Sequence, residues 1–130
     1  MSRPYAFVPK DFLEVPGYFG QQEDVQWYLA TDLLTAMRLA RSREQHELSL
    51  AIRMLQRRYN NTDADFAQQI GAKDATTTGR KLAGSCPATE QDLILWSWIT
   101  GLPRRSFRPD DLTEEPIAVP RFPMNRRRER

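Results

Sequence analysis

Residues 63–101 read DADFAQQIGAKDATTTGRKLAGSCPATEQDLILWSWITG, and this stretch decides the fold. Thr62 with Asp65 three places on is a capping signal, so a short helix is expected over 63–70. Gly71 stands where a left-handed helix cap is wanted. Asp74 can cap a second short helix over about 75–83, ended by Gly84. Pro87 and Thr89 open a third over about 89–100, closed by Gly101 and Pro103. The packing requirements agree with this division. Phe66 and Ile70 share a face, Ala67 is small where a crossing helix must approach, and Ala75, Thr78 or Gly79, and Leu82 recur at inward spacing on the next helix.

Working outward, proline is absent between Pro16 and Pro87, and proline breaks helices. A long helix is expected over 23–42, with Val25, Leu29, Leu33, Ala36, Met37 and Ala40 at helical spacing. Ser42 followed by Gln45 reads as a capping box that restarts the chain, and a further helix follows over 44–59 with Leu48, Ala51, Ile52, Leu55 and Tyr59 inward. No strand-like alternation is visible. The expected fold is all-α: a bundle of about five helices with a long N-terminal helix and an extended Pro/Arg-rich C-terminal tail. The divisions are an aromatic arm over 1–22, a helical domain over 23–102 and a tail over 103–130.

Composition narrows the function. Leu, Ile, Val and Phe number 28 of 130 residues, just above the level at which chains fail to bury a core, so the apolar residues must be concentrated. No apolar run approaches the length of a membrane span. The N-terminus lacks a secretory pattern, and the single cysteine, Cys86, cannot form an internal disulfide, so a reducing cytoplasm is the expected compartment. The net charge of +2 hides an asymmetry: residues 121–130 hold five Arg against one Glu, a +4 segment that leaves −2 on the rest. Arg outnumbers Lys sixteen to three, which suits phosphate or guanine recognition and equally suits a GC-rich genome.

The spacing of the helices at 63–70 and 75–83 is that of a helix-turn-helix. The stretch resembles the Cro/CI-type, phage-repressor-like helix-turn-helix family, and with the preceding helix the likeness covers about residues 44–101. The residues that carry it are Ala67 in the second helix, the turn at Gly71, the threonine-rich Thr76, Thr77 and Thr78, then Gly84, Pro87 and a closing apolar helix. Gly79 and Thr78 depart from it: glycine weakens a helix by about 1 kcal/mol relative to Ala, and Thr78 replaces an inward aliphatic residue. The resemblance implies sequence-specific binding of double-stranded DNA, with the helix at 75–83 in the major groove. Thr76, Thr77, Arg80 and Lys81 would then face the bases, Arg80 gripping guanine. Lys73, Arg53, Arg57 and Arg58 would meet phosphates, as would Arg126, Arg127 and Arg128 in the tail. A nucleoid-associated transcriptional regulator of a bacterium, plasmid or phage follows.

The segment DLILWSWIT is apolar on every side and must be covered on every side. Trp96 and Trp98 lie about 200° apart on a helix turning at 3.6 residues, so they need different partners. The cover is either the helix at 23–42 or a second subunit, and a homodimer is expected, with Leu95, Trp98, Leu29 and Leu33 at its interface. The alternative is a protein-binding adaptor, or one subunit of a two-chain activator, gripping a second protein through helix 89–100 and the aromatic N-terminal region. The aromatic N-terminus is expected to pack across the helices. An enzyme is not expected, and neither a metal nor a cofactor is implied. The single histidine, His46, sits among Glu44, Gln45 and Glu47 on what reads as a solvated face; Cys86 has no neighbouring base; the acidic pairs Asp110-Asp111 and Glu114-Glu115 lie in the Pro-rich tail.

Overall fold

The structure is a computed structural model that describes residues 6–30 and 32–104. Among these, regular structure is helical, with α1 over Leu33–Tyr59, α2 over Asp63–Gln69, α3 over Ala75–Leu82 and α4 over Glu90–Thr100, preceded by two short 3-10 turns at Pro9–Phe12 and Pro16–Tyr18. The fold is all-α. No helix among the described residues is long and apolar enough to cross a membrane. The tail over 105–130 lies outside the described residues.

The three helices of the deciding stretch sit where their caps put them. Thr62 and Asp65 form a reciprocal capping box on α2, and Thr89 and Asp92 form another on α4. The Asp74 side chain accepts from the Thr76 N–H at the start of α3. Each cap satisfies N–H groups that the first helical turn leaves without partners.

The N-terminal half differs from expectation. In place of two helices at 23–42 and 44–59 there is one, 27 residues long. It starts at Asp32, whose carboxylate accepts from both the backbone and the hydroxyl of Thr35 at 2.8 Å. Residues before it are drawn away from helix: Glu14 N–H donates to Gln26 O at 3.0 Å, Tyr28 N–H to Phe12 O at 2.8 Å, and Leu13 bridges Trp27. The expected restart at Ser42 does not occur, because the Ser42 hydroxyl bonds back to Arg38 O at 2.8 Å inside the helix and Gln45 is turned into the core. Asn60 in the left-handed conformation (φ 53°) ends α1. Among the described residues there are therefore four α-helices.

α1 is the central element. One side carries Leu48 and Ile52, which join Phe66 of α2, Leu82 of α3, and Leu93 and Trp96 of α4 in the main core. The other side is covered by the N-terminal segment, where Ala36 and Leu39 meet Ala30, Phe12 and Trp27. Phe19, 1% exposed, lies against Gly84 just after α3. Gly84 has φ +77°, and a Cβ there would stand 2.5 Å from the Phe19 ring. The Lys10 N–H donates to the Gly84 carbonyl at 2.9 Å, so the N-terminal segment is tied to the end of α3.

Candidate nucleic-acid interface

The α2–α3 pair is held on α1 by four side chains. Arg53 donates to Asp63 Oδ1 at 2.6 Å, and Gln56 donates to the same oxygen at 3.0 Å, fixing the first residue of α2. The Ser49 hydroxyl donates to the Leu82 carbonyl. Gln45 spends its whole amide on the loop after α3: Nε2 donates to Lys81 O (2.7 Å) and Cys86 O (3.1 Å), and Oε1 accepts from Ala88 N–H (2.8 Å). The Leu82 carbonyl at the end of α3 thus accepts from an α1 hydroxyl, and the Lys81 carbonyl takes the Gln45 amide in addition to the Gly84 N–H at 3.1 Å.

These restraints fix which side of α3 faces outward. Thr78 and Leu82 are buried, i and i+4, against the core. Thr78 thus takes the inward position despite its hydroxyl. Gly79 faces the start of α2, where a Cβ would stand 2.7 Å from Asp63 Oδ2, so this glycine is the condition for close approach of the two helices. Thr76 and Arg80, again i and i+4, are exposed. They share one stripe about a turn long.

Thr77 and Lys81 stand toward α4. The Thr77 hydroxyl donates to Asp74 Oδ2 at 2.7 Å, completing the cap. Hydrogen bonds from Thr77 and then from the Thr76 N–H hold the Asp74 carboxyl below the usual range, with a smaller pull from the Arg80 charge. Lys81 Nζ lies 2.6 Å from Asp92 Oδ2, with the two side chains 21% and 15% exposed. Burial pushes the Asp92 carboxyl up, but hydrogen bonds from Lys81 and Thr89 outweigh it, and the net displacement is downward. The expected outward placement of Lys81 is corrected accordingly: its ammonium joins α3 to α4, because an acidic cap residue lies within its reach.

The other candidate cations divide in the same way. Lys73, Arg57 and Arg58 are exposed, with Arg58 over the Tyr59 ring at 5.7 Å. Arg53 is 18% exposed and committed to Asp63, so it braces α2 from within. Arg126, Arg127 and Arg128 lie outside the described residues. Of the residues assigned to a partner interface, Trp98 is 83% exposed and Leu29 65%, whereas Leu95 packs against the core and Leu33 is half-buried. The expected lid of a separate helix 23–42 over α4 is absent, since residues 33–42 belong to α1 itself and Trp27 and Ala30 before it pack on Ala36 and Leu39, the side of α1 away from the main core.

Three residues were missed by sequence reasoning. His46 is 3% exposed, its Nδ1 accepts from the Gly20 N–H at 2.9 Å, and Phe19 and Trp27 meet its ring edge-on. Gln45 is the clamp described above. Arg104 reaches back to both Glu44 (2.8 Å) and Glu90 (2.8 Å), whose carboxylates draw its pKa further up. All of these partners are distant in sequence, and a polar run on α1 gave no sign that both of its sides would be covered.

Comparison with family models, with curated proteins and with solved structures finds none that matches this chain.

Proposed function

We propose that this chain is a sequence-specific double-stranded DNA-binding protein, acting as a dimeric transcriptional regulator of a bacterium, plasmid or phage. The α2–turn–α3 unit serves as its helix-turn-helix. The observation that carries this reading is the division of α3: Thr78 and Leu82 are buried while Thr76 and Arg80 stand exposed one turn apart. A helix presenting a short polar stripe on a braced scaffold suits the major groove. Arg80 offers the planar fork that grips guanine O6 and N7, and the Thr76 methyl and hydroxyl suit a thymine methyl or a base acceptor. Lys73, Arg57, Arg58 and the arginines of the tail supply phosphate contacts, which orient without specifying. Lys81 and Arg53 act one step back, holding the two helices in register through Asp92 and Asp63.

The test is selection of a random duplex library on the full chain at about 150 mM salt, where screening suppresses weak phosphate binding. Enrichment of a palindrome supports a sequence-reading dimer, and loss of enrichment in Arg80→Ala assigns the reading to α3. No enrichment by the parent chain removes the proposal. One observation favours a second reading, a protein-binding adaptor: a tryptophan 83% exposed on an apolar helix face. An adaptor of that kind retains its biological activity when Thr76 and Arg80 are both replaced by Ala.

A further inference from the structure

A cleft of about 640 Å³ lies where the N-terminal segment at 23–27, α1 and Leu102 come together, and no residue of α2 or α3 lines it. Its size falls within the ~300–1,000 Å³ of small-molecule sites. Two of its lining residues, Arg43 and His46, stand one turn apart on α1. Each carries a buried nitrogen without a hydrogen-bond partner among the described residues, Nε of Arg43 and Nε2 of His46. His46 is 3% exposed, and because Nδ1 accepts from the Gly20 N–H, its neutral ring offers Nε2 as a donor. Buried N–H groups in native proteins are paired with few exceptions, so these two donors call for an acceptor.

Charge narrows what that acceptor belongs to. Among the described residues lining the cleft, Glu23, Asp24 and Glu47 set three carboxylates against the one guanidinium of Arg43. A simple anion is opposed by that excess of negative charge, and a simple cation leaves both buried donors without an acceptor. A zwitterion meets both requirements. The rest of the wall is apolar, with Val25, Trp27, Leu50, Ala51 and Met54.

We infer that this cleft binds a free α-amino acid with a large apolar side chain. The charge of Arg43 draws the carboxylate, whose oxygens supply the acceptors that the Arg43 and His46 N–H groups lack. The ammonium is matched by Glu23 and Asp24, both exposed at the margin of the cleft. The side chain is left to the apolar wall, where leaving water is favourable. Residues on both the N-terminal segment and α1 line the cleft, so the bound molecule ties one to the other. The inference adds a ligand to the proposed regulator and uses no residue of α3.

The experiment is isothermal titration calorimetry of the full chain, without DNA, against L-phenylalanine, L-methionine and L-leucine. Each is compared with the amine that lacks its carboxylate and the acid that lacks its ammonium, which for phenylalanine are phenethylamine and hydrocinnamate. At least one amino acid is expected to bind saturably, and each of its single-charge analogues about tenfold or more weaker. Arg43→Gln is expected to weaken the amino acid about tenfold and to leave its amine analogue unchanged. Glu23→Gln combined with Asp24→Asn is expected to weaken the amino acid by a similar factor without weakening its acid analogue, and both variants should keep the parent's helical circular dichroism. Three results overturn the inference: no saturable binding of any of the amino acids up to about 10 mM, an analogue that binds as tightly as the amino acid, or unchanged binding in either variant. If Arg43→Gln does not fold, the chain carrying both Glu23→Gln and Asp24→Asn, altered only at exposed positions, decides alone. Library selection on duplex DNA does not depend on this cleft, so the two readings fail separately.

Discussion

The burial of His46 makes stability depend on pH in a range where few other groups titrate. Burial pulls the imidazole from 6.5 down to about 4, against a smaller upward pull from the Gln22 backbone. Nδ1 already accepts from Gly20, so the neutral ring carries its proton on Nε2, which has no acceptor within bonding geometry among the described residues. The folded chain therefore resists a second proton that the unfolded chain takes readily. The contribution is complete above pH 6.5, falls as pH drops toward 4, and levels off below that, where both states are protonated. At pH 5 protonation favours the unfolded chain by a factor of about 30 and the folded chain hardly at all, a loss of about 2 kcal/mol relative to pH 8. The carboxyls held below their usual values, such as Asp74 and Asp92, lose their contributions only under more acid conditions, so they leave this window clear. The assay is urea unfolding at pH 8, 6.5 and 5 for the parent chain and for His46→Asn. The asparagine oxygen can still accept from Gly20, but the side chain does not titrate. The variant is expected to be less stable at pH 8, since it loses the edge-on contacts with Phe19 and Trp27, and nearly flat down to pH 5. Equal falls in the two proteins would refute the argument.

Further outcomes follow from the same packing. Gly84→Ala meets both a left-handed backbone and the Phe19 ring at 2.5 Å, and should cost more than ~2 kcal/mol in urea unfolding. Gly71→Ala shares the left-handed φ (+74°) but has open space around it, so it should cost only ~1 kcal/mol, and equal losses would show that the Phe19 contact is unimportant. Gln45→Leu takes the side-chain acceptor from the Ala88 N–H and removes one donor from each of the Lys81 and Cys86 carbonyls. A loss of about 2–4 kcal/mol is expected, together with faster amide exchange at Ala88; an unchanged protein would mean that these bonds do not hold the end of α3.

The elements that the sequence made legible are those whose signals are local. Thr62 with Asp65, Asp74, and Thr89 each mark a helix start within a few residues, and all three operate as caps in the structure. The opposed faces of Trp96 and Trp98 were legible for the same reason, since helical geometry alone separates them. What could not be read is set by contacts distant in the chain. Ser42 and Gln45 have the composition of a capping box, yet Gln45 is engaged by backbone groups 36–43 residues away, and the helix runs straight through. Residues 23–30 carry a helical apolar pattern, but pairing with residues 12–14 holds them extended. His46 reads as solvated among Glu44, Gln45 and Glu47 until the N-terminal segment is folded over it. At the candidate interface the identities of the exposed residues on α3 were partly legible: Thr76 and Arg80 follow from periodicity, whereas the inward turn of Lys81 depends on where α4 presents Asp92.

The central claim is that α3 reads bases while the flanking cations only grip phosphates, and it is tested most directly by comparing two single substitutions on one enriched duplex. Arg80→Ala is expected to cost about 1–3 kcal/mol and to relax discrimination at one base pair in each half-site. Arg57→Ala is expected to weaken binding evenly across sequences and to lower the salt slope by about one. If Arg80→Ala instead weakened all sequences alike and left every base preference intact, α3 would not be the reading element and the account would be contradicted.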